Sequence, residues 1–257
     1  MDFNLTQEQI IFRDSVRKFA LRHLADKALE RAHSDTFPME VAKLMADHGF
    51  LGITVAEMDG GQGGTLTDAV IAVDAVAEVC PRSADVIQAG NFGPIRVLAE
   101  YGTDDQKKRY LSKLLNGYSV IAVAMTEPDA GSAVTDLQTS ATPDGSGFRI
   151  NGSKVFTTHG SIADVLLAYV RYGPGLDGIG SVLIEKDVEG FTIGKPVRFL
   201  SGEDWAQLYF DDVYVGPENV LLGSNGFRKQ ISGFNVERIG NAARALALGR
   251  HCQYVLH

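Results

Sequence analysis

The stretch Ser119-Val120-Ile121-Ala122-Val123-Ala124-Met125 decides the fold. Before it, apolar residues recur at helical spacing. From it onward they come in short, partly β-branched runs broken by glycine turns. Near Gly226 the helical period returns. The chain therefore reads as helices, then a sheet, then a helix: an α+β multidomain protein.

Toward the N-terminus five helices are predicted. Thr6 and Gln9 form a capping box, Leu5 and Ile10 sit at the staple positions, and Ile10, Phe12, Val16, Phe19, Ala20 and Leu24 follow at helical spacing. Pro38 opens a second helix, whose apolar face is Val41, Leu44, Met45 and His48 and which stops at Gly49. Thr65, boxed with Asp68, opens a third that runs to about Cys80. A fourth begins near Pro94 and ends before Gly102, and Thr103 boxed with Gln106 opens a fifth to about Leu115. Residues 1–118 are expected to form an all-α domain.

Toward the C-terminus, Thr139 to Thr142 and Phe148 to Ile150 flank a turn at Pro143 to Gly147, and Asn151-Gly152 is a second hairpin signal before Lys154 to Thr158. Ala163 to Val170 and Ile179 to Glu185 are apolar runs of strand length. Phe191 to Val197 and Gln207 to Val215 alternate like half-buried strands. An antiparallel, barrel-like β domain is expected over residues 119–225. From Gly226, Ile231, Phe234, Ile239, Ala242, Ala243, Leu246, Leu248, Tyr254 and Val255 mark one long helix over residues 226–257. An amphipathic helix does not bury its apolar face alone, so this one reads as the opening of a further helical domain, stopping at His257 without a cap.

Composition narrows the function. The 257 residues are 45% hydrophobic and 22% charged, ordinary for a globular protein. The net charge of −8 argues against nucleic-acid binding. Residues 226–257 hold Arg228, Lys229, Arg238, Arg244 and Arg250 against Glu237 alone, a cationic helix on an acidic body. It is either a solvated face or a holder of an anionic ligand. No apolar run approaches a membrane span, and the start MDFNLTQEQI has no signal-peptide pattern. Cys80 and Cys252 form neither a disulfide framework nor a metal spacing. A soluble cytoplasmic protein is the default, and no metal site is expected.

Two strand ends carry chemistry. Met125-Thr126-Glu127-Pro128-Asp129-Ala130-Gly131-Ser132 forces a turn and offers hydroxyls beside backbone N–H groups. It suits a phosphate or a heterocycle edge, or is simply a polar turn. In Phe156-Thr157-Thr158-His159-Gly160, an aromatic ring and a threonine two residues on share one side of a regular strand. They could hold a planar cofactor, or be a core Phe and an edge Thr. Asp59-Gly60-Gly61-Gln62-Gly63-Gly64 lacks a Walker lysine and reads as a flexible connection. Gly173 to Gly180 reads as a hairpin loop. Trp205, the only tryptophan, reads as buried packing.

Met125-Thr126-Glu127-Pro128 through Ala130-Gly131-Ser132, then Asn151-Gly152-x-Lys154-x-Phe156-x-Thr158, resembles the acyl-CoA dehydrogenases. So do Gly102 to Lys107 with Tyr110-Leu111, and Phe210 through Val213-Tyr214-Val215 to Leu222-Gly223. The likeness covers essentially the whole chain. It implies an α domain, a β domain and the first helix of a C-terminal four-helix bundle. It also implies FAD, dehydrogenation of an acyl-CoA thioester to a trans-2-enoyl-CoA, an electron-transferring flavoprotein as acceptor, and a homo-oligomer, tetramer or dimer.

Carried over by position, Met125 (backbone) and Thr126 would contact the flavin's pyrimidine edge, and Ser132 the FAD pyrophosphate or the CoA. Phe156 stands where a tryptophan stacks near the flavin, and Thr158 would hydrogen-bond near N5. Arg238 fits the arginine that secures the CoA end. Most members remove the α-proton with a glutamate late in the C-terminal bundle, beyond residue 257 of this sequence; Glu237 occupies the position that a minority use for that base, and in members with the later base a glutamate there pairs with neighbours. Phe156, His159 and Trp205 depart from the usual tryptophan, asparagine and threonine. The altered wall at Phe156 and His159 leaves open a same-fold monooxygenase, oxidase or thioester lyase, and the uncapped stop at His257 leaves open a half-site subunit completed by a partner.

Overall fold

The computed structural model describes residues 4–34, 36–200 and 202–256, the side chain of Val255 excepted. The expected apolar role of Val255, the first three residues of the N-terminal reading and the chain end at His257 lie outside them. Among the described residues the helices, in chain order, are α1 (Gln7–His23), α2 (Ala28–Ala32), α3 (Met39–Asp47), α4 (Leu66–Ala77), α5 (Pro81–Ala89), α6 (Pro94–Tyr101), α7 (Asp104–Leu115) and α8 (Phe227–Val255). The strands are β1 (Ile121–Ala124), β2 (Ser140–Asp144), β3 (Gly147–Thr158), β4 (Val165–Arg171), β5 (Ile179–Glu185), β6 (Phe191–Ile193), β7 (Val197–Arg198), β8 (Asp204–Val215) and β9 (Val220–Leu222). None of the described helices is long and apolar enough to cross a membrane.

The chain forms two compact units. One is built from the described residues up to Gly93, from Leu115–Tyr118 and from Asn235 onward; the other from Pro94–Leu114 and Ser119–Phe234.

In the first unit the predicted capping boxes form. Gln9 N donates to Thr6 Oγ1 at 3.2 Å and Thr6 N to Gln9 Oε1 at 3.0 Å, and Thr65 and Asp68 exchange the same pair of bonds at 3.2 and 2.8 Å. Each box satisfies two helix-end donors. α1 buries Val16, Phe19 and Ala20, and α4 buries Ala69, Ile71, Ala72, Val73, Ala75, Val76 and Ala77.

Five helices are predicted before residue 118, and seven are present among the described residues. The short α2 and the whole of α5 are additions. α5 reads Pro-Arg-Ser-Ala-Asp-Val-Ile-Gln-Ala, and its buried residues include Arg82, Ser83, Asp85 and Gln88. A helix that hides polar groups shows no apolar period. The segment from Asp59 to Gly64 is not a flexible connection. Gly61, Gln62, Gly63 and Gly64 donate to the carbonyls of Ala56, Gly52, Val55 and Ile53 at 2.7–3.0 Å. With those donors engaged inside the loop, they are not offered to a phosphate.

The second unit is built on one nine-stranded sheet, ordered β6-β8-β3-β2-β4-β5-β9, with β1 on β4 and β7 on β8. It is mixed rather than wholly antiparallel: β1 runs parallel to β4, and β2 meets β4 in parallel at Ser140 and Arg171. β4 is buried along both faces, as parallel strands generally are. The β2–β3 hairpin closes on Gly145-Ser146, with Asp144 opposite Gly147 and Gly145 at φ +59°.

Asn151-Gly152 makes no hairpin. β3 runs straight through it, with a bulge against β8 between Ile150 and Gly152. Gly152 has φ +148°, and a Cβ there would lie 2.6 Å from Thr139 Oγ1. The glycine is used for close approach, not for a turn. The expected run Phe191 to Val197 is two short strands, β6 and β7, both on β8. Gly173 to Gly180 does join β4 to β5, through a 3₁₀ turn at Leu176–Gly178. Ile150, Leu166, Val182, Ile184, Leu208 and Val213 centre the core.

α7 is tied to the strand-edge segment before β9. Gln106, 1% exposed, closes the predicted box with Thr103 at 3.0 and 3.2 Å. Its Nε2 donates to the Glu218 and Val220 carbonyls at 3.0 and 2.9 Å. Gln106→Ala removes the side-chain half of the capping box and takes the Gln106 donor from the Glu218 and Val220 carbonyls. The expected loss is about 2–3 kcal/mol, read as a lower denaturation midpoint with an unchanged slope.

Candidate active site

In the sheet unit, β1 ends at Ala124 and the chain passes through half-buried Met125 and Thr126 into a tight turn. Glu127 and Ala130 exchange both backbone bonds at 3.1 Å across Pro128-Asp129. Proline in the turn fixes φ and needs no donor. Ser132 is exposed just beyond.

Beneath this turn lies a buried ion pair that the sequence reading left unassigned. Lys154 on β3 is 0% exposed. Its Nζ donates to Glu127 Oε1 at 2.8 Å and to the Met125 carbonyl at 3.1 Å. The Glu127 carboxylate also accepts from Gln138 N at 2.6 Å and Thr139 N at 2.9 Å. Burial works against the Glu127 charge, but Lys154 and these N–H donors outweigh it and hold the carboxyl below its usual range. Burial likewise lowers the Lys154 ammonium to about 8, although Glu127 opposes the shift. A lysine one bulge away from a candidate aromatic, facing a strand-end glutamate, was the available signal.

Past Lys154, β3 departs from regular extension. One extra residue between Lys154 and Thr157 bulges against Leu208 and Ala206 of β8. Phe156 within it takes φ +56°, in the left-handed region that phenylalanine seldom adopts. Simple alternation from Phe156 to Thr158 therefore does not hold. Phe156 is 56% exposed and its ring packs on Trp205, ring centroids 4.6 Å apart. Trp205 pairs with Thr158 in register and is half-buried, so it is part of this aromatic surface rather than core packing. Thr158 is half-buried, while neighbouring Thr157 Oγ1 is buried without a partner among the described residues. Val155 N donates to the Thr126 carbonyl at 2.8 Å. The structure thus joins Met125 and Thr126 to the segment carrying Phe156 and Thr158. An exposed phenylalanine packed on a half-buried tryptophan, beside the half-buried Thr126 and Thr158, fits a planar group with a polar edge.

In the helical unit, Glu237 on α8 is half-buried. Its Oε1 accepts from Gln88 Nε2 of α5 at 2.6 Å, and the same nitrogen donates to Asn241 Oδ1 at 2.8 Å. Burial pushes the Glu237 carboxyl above its usual range and Asp85 adds to that; Gln88 and Arg244 pull against it. Gly93, at φ +60°, makes room for it: a Cβ there would lie 2.8 Å from Glu237 Oε2. Gln88 carries no signal in the sequence because α5 buries polar residues and shows no apolar period.

The adjacent Arg238 is exposed, with NH1 donating to Asn235 Oδ1 at 2.9 Å. Two other cations of the expected cationic helix are engaged by the protein itself. Arg244 bonds Asp85 and Arg250 bonds Asp74, each at 2.6 Å.

Comparison with known proteins gives these features a family. Residues 6–118 match the family model described as acyl-CoA dehydrogenase, N-terminal domain, and residues 122–213 that described as acyl-CoA dehydrogenase, middle domain. The chain is 36% identical over 253 residues to a short-chain-specific acyl-CoA dehydrogenase of Clostridium acetobutylicum, covering 96% of this chain and 67% of that protein. Among solved structures, butyryl-CoA dehydrogenase from Megasphaera elsdenii superposes with TM-score 0.88 at 31% identity, over 98% of this chain and 68% of that one. A glutaryl-CoA dehydrogenase of Mycobacterium smegmatis in complex with FADH2 superposes with TM-score 0.87 at 26% identity, over 96% of this chain and 64% of that one. The chain spans about two-thirds of the length of these relatives. It belongs to the acyl-CoA dehydrogenase family, flavoprotein oxidoreductases that act on acyl-CoA.

Proposed function

We propose that this chain carries the N-terminal and middle parts of an FAD-dependent dehydrogenase that converts an acyl-CoA to a trans-2-enoyl-CoA. Residues 226–257 are then the first helix of a C-terminal bundle. The reading is carried by Glu237, a half-buried carboxylate with a raised pKa, gripped by one amide. A carboxylate made more basic by burial is a better acceptor for a weakly acidic carbon-bound proton. Glu237 takes the α-proton, which the thioester carbonyl acidifies, and Gln88 holds the carboxylate in one orientation.

Met125 and Thr126 offer backbone and hydroxyl groups to the flavin's pyrimidine edge. Thr158 donates near N5, and Phe156 walls the ring. Ser132 meets the pyrophosphate or the CoA, and Arg238 supplies a cation for the anionic CoA end. Bound there, FAD supplies the acceptor for the hydride that leaves the β-carbon. An electron-transferring flavoprotein is the redox partner of this reading, the assembly is a homo-oligomer, and the location is cytoplasmic.

The test is flavin binding. The chain is expected to retain FAD through gel filtration and to quench its fluorescence. Thr158→Val removes one hydrogen bond and is expected to weaken FAD about tenfold with little change in stability. Wild-type affinity in that variant would count against Thr158 as a cofactor contact.

A further inference from the structure

The buried Lys154–Glu127 pair has no part in the chemistry proposed above, yet it joins three chain segments at the candidate cofactor edge. We propose that it is a positioning device: Lys154 holds and polarises the Met125–Thr126 peptide so that Thr126 N–H becomes a stronger, fixed donor toward the flavin edge. This inference rests on the flavin reading of the site.

The geometry carries it. Lys154 Nζ reaches the Met125 carbonyl and Glu127 Oε1. Glu127 in turn fixes the entry to β2 through Gln138 N and Thr139 N. The carbonyl of Met125 and the N–H of Thr126 belong to one peptide group. An ammonium on the carbonyl draws electron density from that group, and linked hydrogen bonds strengthen one another in a dry interior. The bond from Val155 N to the Thr126 carbonyl ties the far side of the same residue to β3. Phe156 and Thr158 begin two residues beyond Lys154 on that strand. Fixing Lys154 thus fixes the peptide against the residues expected to meet the same ring.

A purely structural role explains this less well. Replacing a buried ion pair with apolar groups of similar volume is often neutral or stabilising. Here the ammonium is aimed at a backbone carbonyl beside the site, which a packing role does not require.

The test compares Lys154→Met, Glu127→Gln and Val213→Ala in the whole 257-residue chain. Val213 is fully buried in the sheet core and serves as the control for lost stability alone. Three quantities are read: the FAD dissociation constant, the Thr126 amide 15N shift without flavin, and hydrogen exchange at Gln138 and Thr139. Lys154→Met is expected to raise the dissociation constant about tenfold or more and to move the Thr126 resonance. Glu127→Gln is expected to do the same more weakly and to speed exchange at Gln138 and Thr139. Val213→Ala is expected to change neither FAD binding nor the Thr126 shift.

If Lys154→Met loses stability but keeps the wild-type dissociation constant and Thr126 shift, the inference is overturned. If that variant does not fold, Glu127→Gln decides: unchanged affinity and shift overturn it equally. A wild-type chain that takes up no FAD defeats the flavin reading instead, and the Thr126 shift alone then decides whether Lys154 polarises the peptide.

Discussion

Glu237→Gln is expected to lower the rate of α-proton removal by about 10³–10⁴-fold, the upper part of the range for loss of a general base. FAD content should be unchanged. The amide keeps the shape of the carboxylate, and its oxygen still accepts from Gln88 Nε2, so the α5–α8 contact survives.

The same substitution is expected to make the protein more stable at neutral pH. The folded-state pKa of Glu237 lies above its unfolded value, chiefly through burial. Such a carboxyl favours folding while it is protonated, and that contribution is lost as pH rises through the folded pKa. Glutamine never ionises, so the variant avoids the loss. The gain in melting temperature over wild type should therefore shrink as the pH is lowered toward the ordinary carboxylate range. Equal melting temperatures at neutral pH would mean that burial does not strain this charge. Together the two effects distinguish a functional carboxylate from a structural one, whose removal lowers stability without a selective loss of rate.

Gly152→Ala is expected to destabilise the sheet unit by about 3–5 kcal/mol. Two mechanisms add. The φ of +148° is strained for any residue with a Cβ. The new methyl also meets Thr139 at 2.6 Å from Oγ1 and 2.7 Å from Cα, where backbone must move. Thr139 N is one of the donors to Glu127. The variant should thus loosen the ion pair as well as the sheet, seen as weaker FAD binding and a lower denaturation midpoint. An alanine variant within about 1 kcal/mol of wild type would show that the bulge relaxes without help from glycine.

Gly152 also shows what the sequence does and does not make legible. Asn-Gly between apolar runs is a strong local hairpin signal. The chain overrides it because β3 continues to pair with β8 on the far side of the bulge, a long-range fact that no short window contains. The same holds for β1 and β4, whose parallel pairing across an intervening hairpin cannot be read from either strand alone. By contrast, the boxes at Thr6, Thr65 and Thr103 are local hydrogen-bond patterns, and all three form.

The site divides in the same way. Met125, Thr126, Phe156 and Thr158 were readable as candidates because each lies in a short motif. Gln88 and Gly93 were not, because their relation to Glu237 spans about 150 residues of chain, as the separation of 149 between Gln88 and Glu237 shows. Trp205 reads as core packing in the sequence because its partner is Phe156 on the neighbouring strand, an exposed ring on a residue of left-handed φ that no short window reveals.

The most direct test of the central claim is anaerobic mixing of the FAD-loaded chain with a saturated acyl-CoA while flavin absorbance is followed. Wild type is expected to lose its oxidised-flavin absorbance and to form one trans-2-enoyl-CoA per flavin, while Glu237→Gln binds the same thioester and stays oxidised. Full bleaching of Glu237→Gln at the wild-type rate, or no bleaching of a flavin-loaded wild type by any acyl-CoA, would contradict the account.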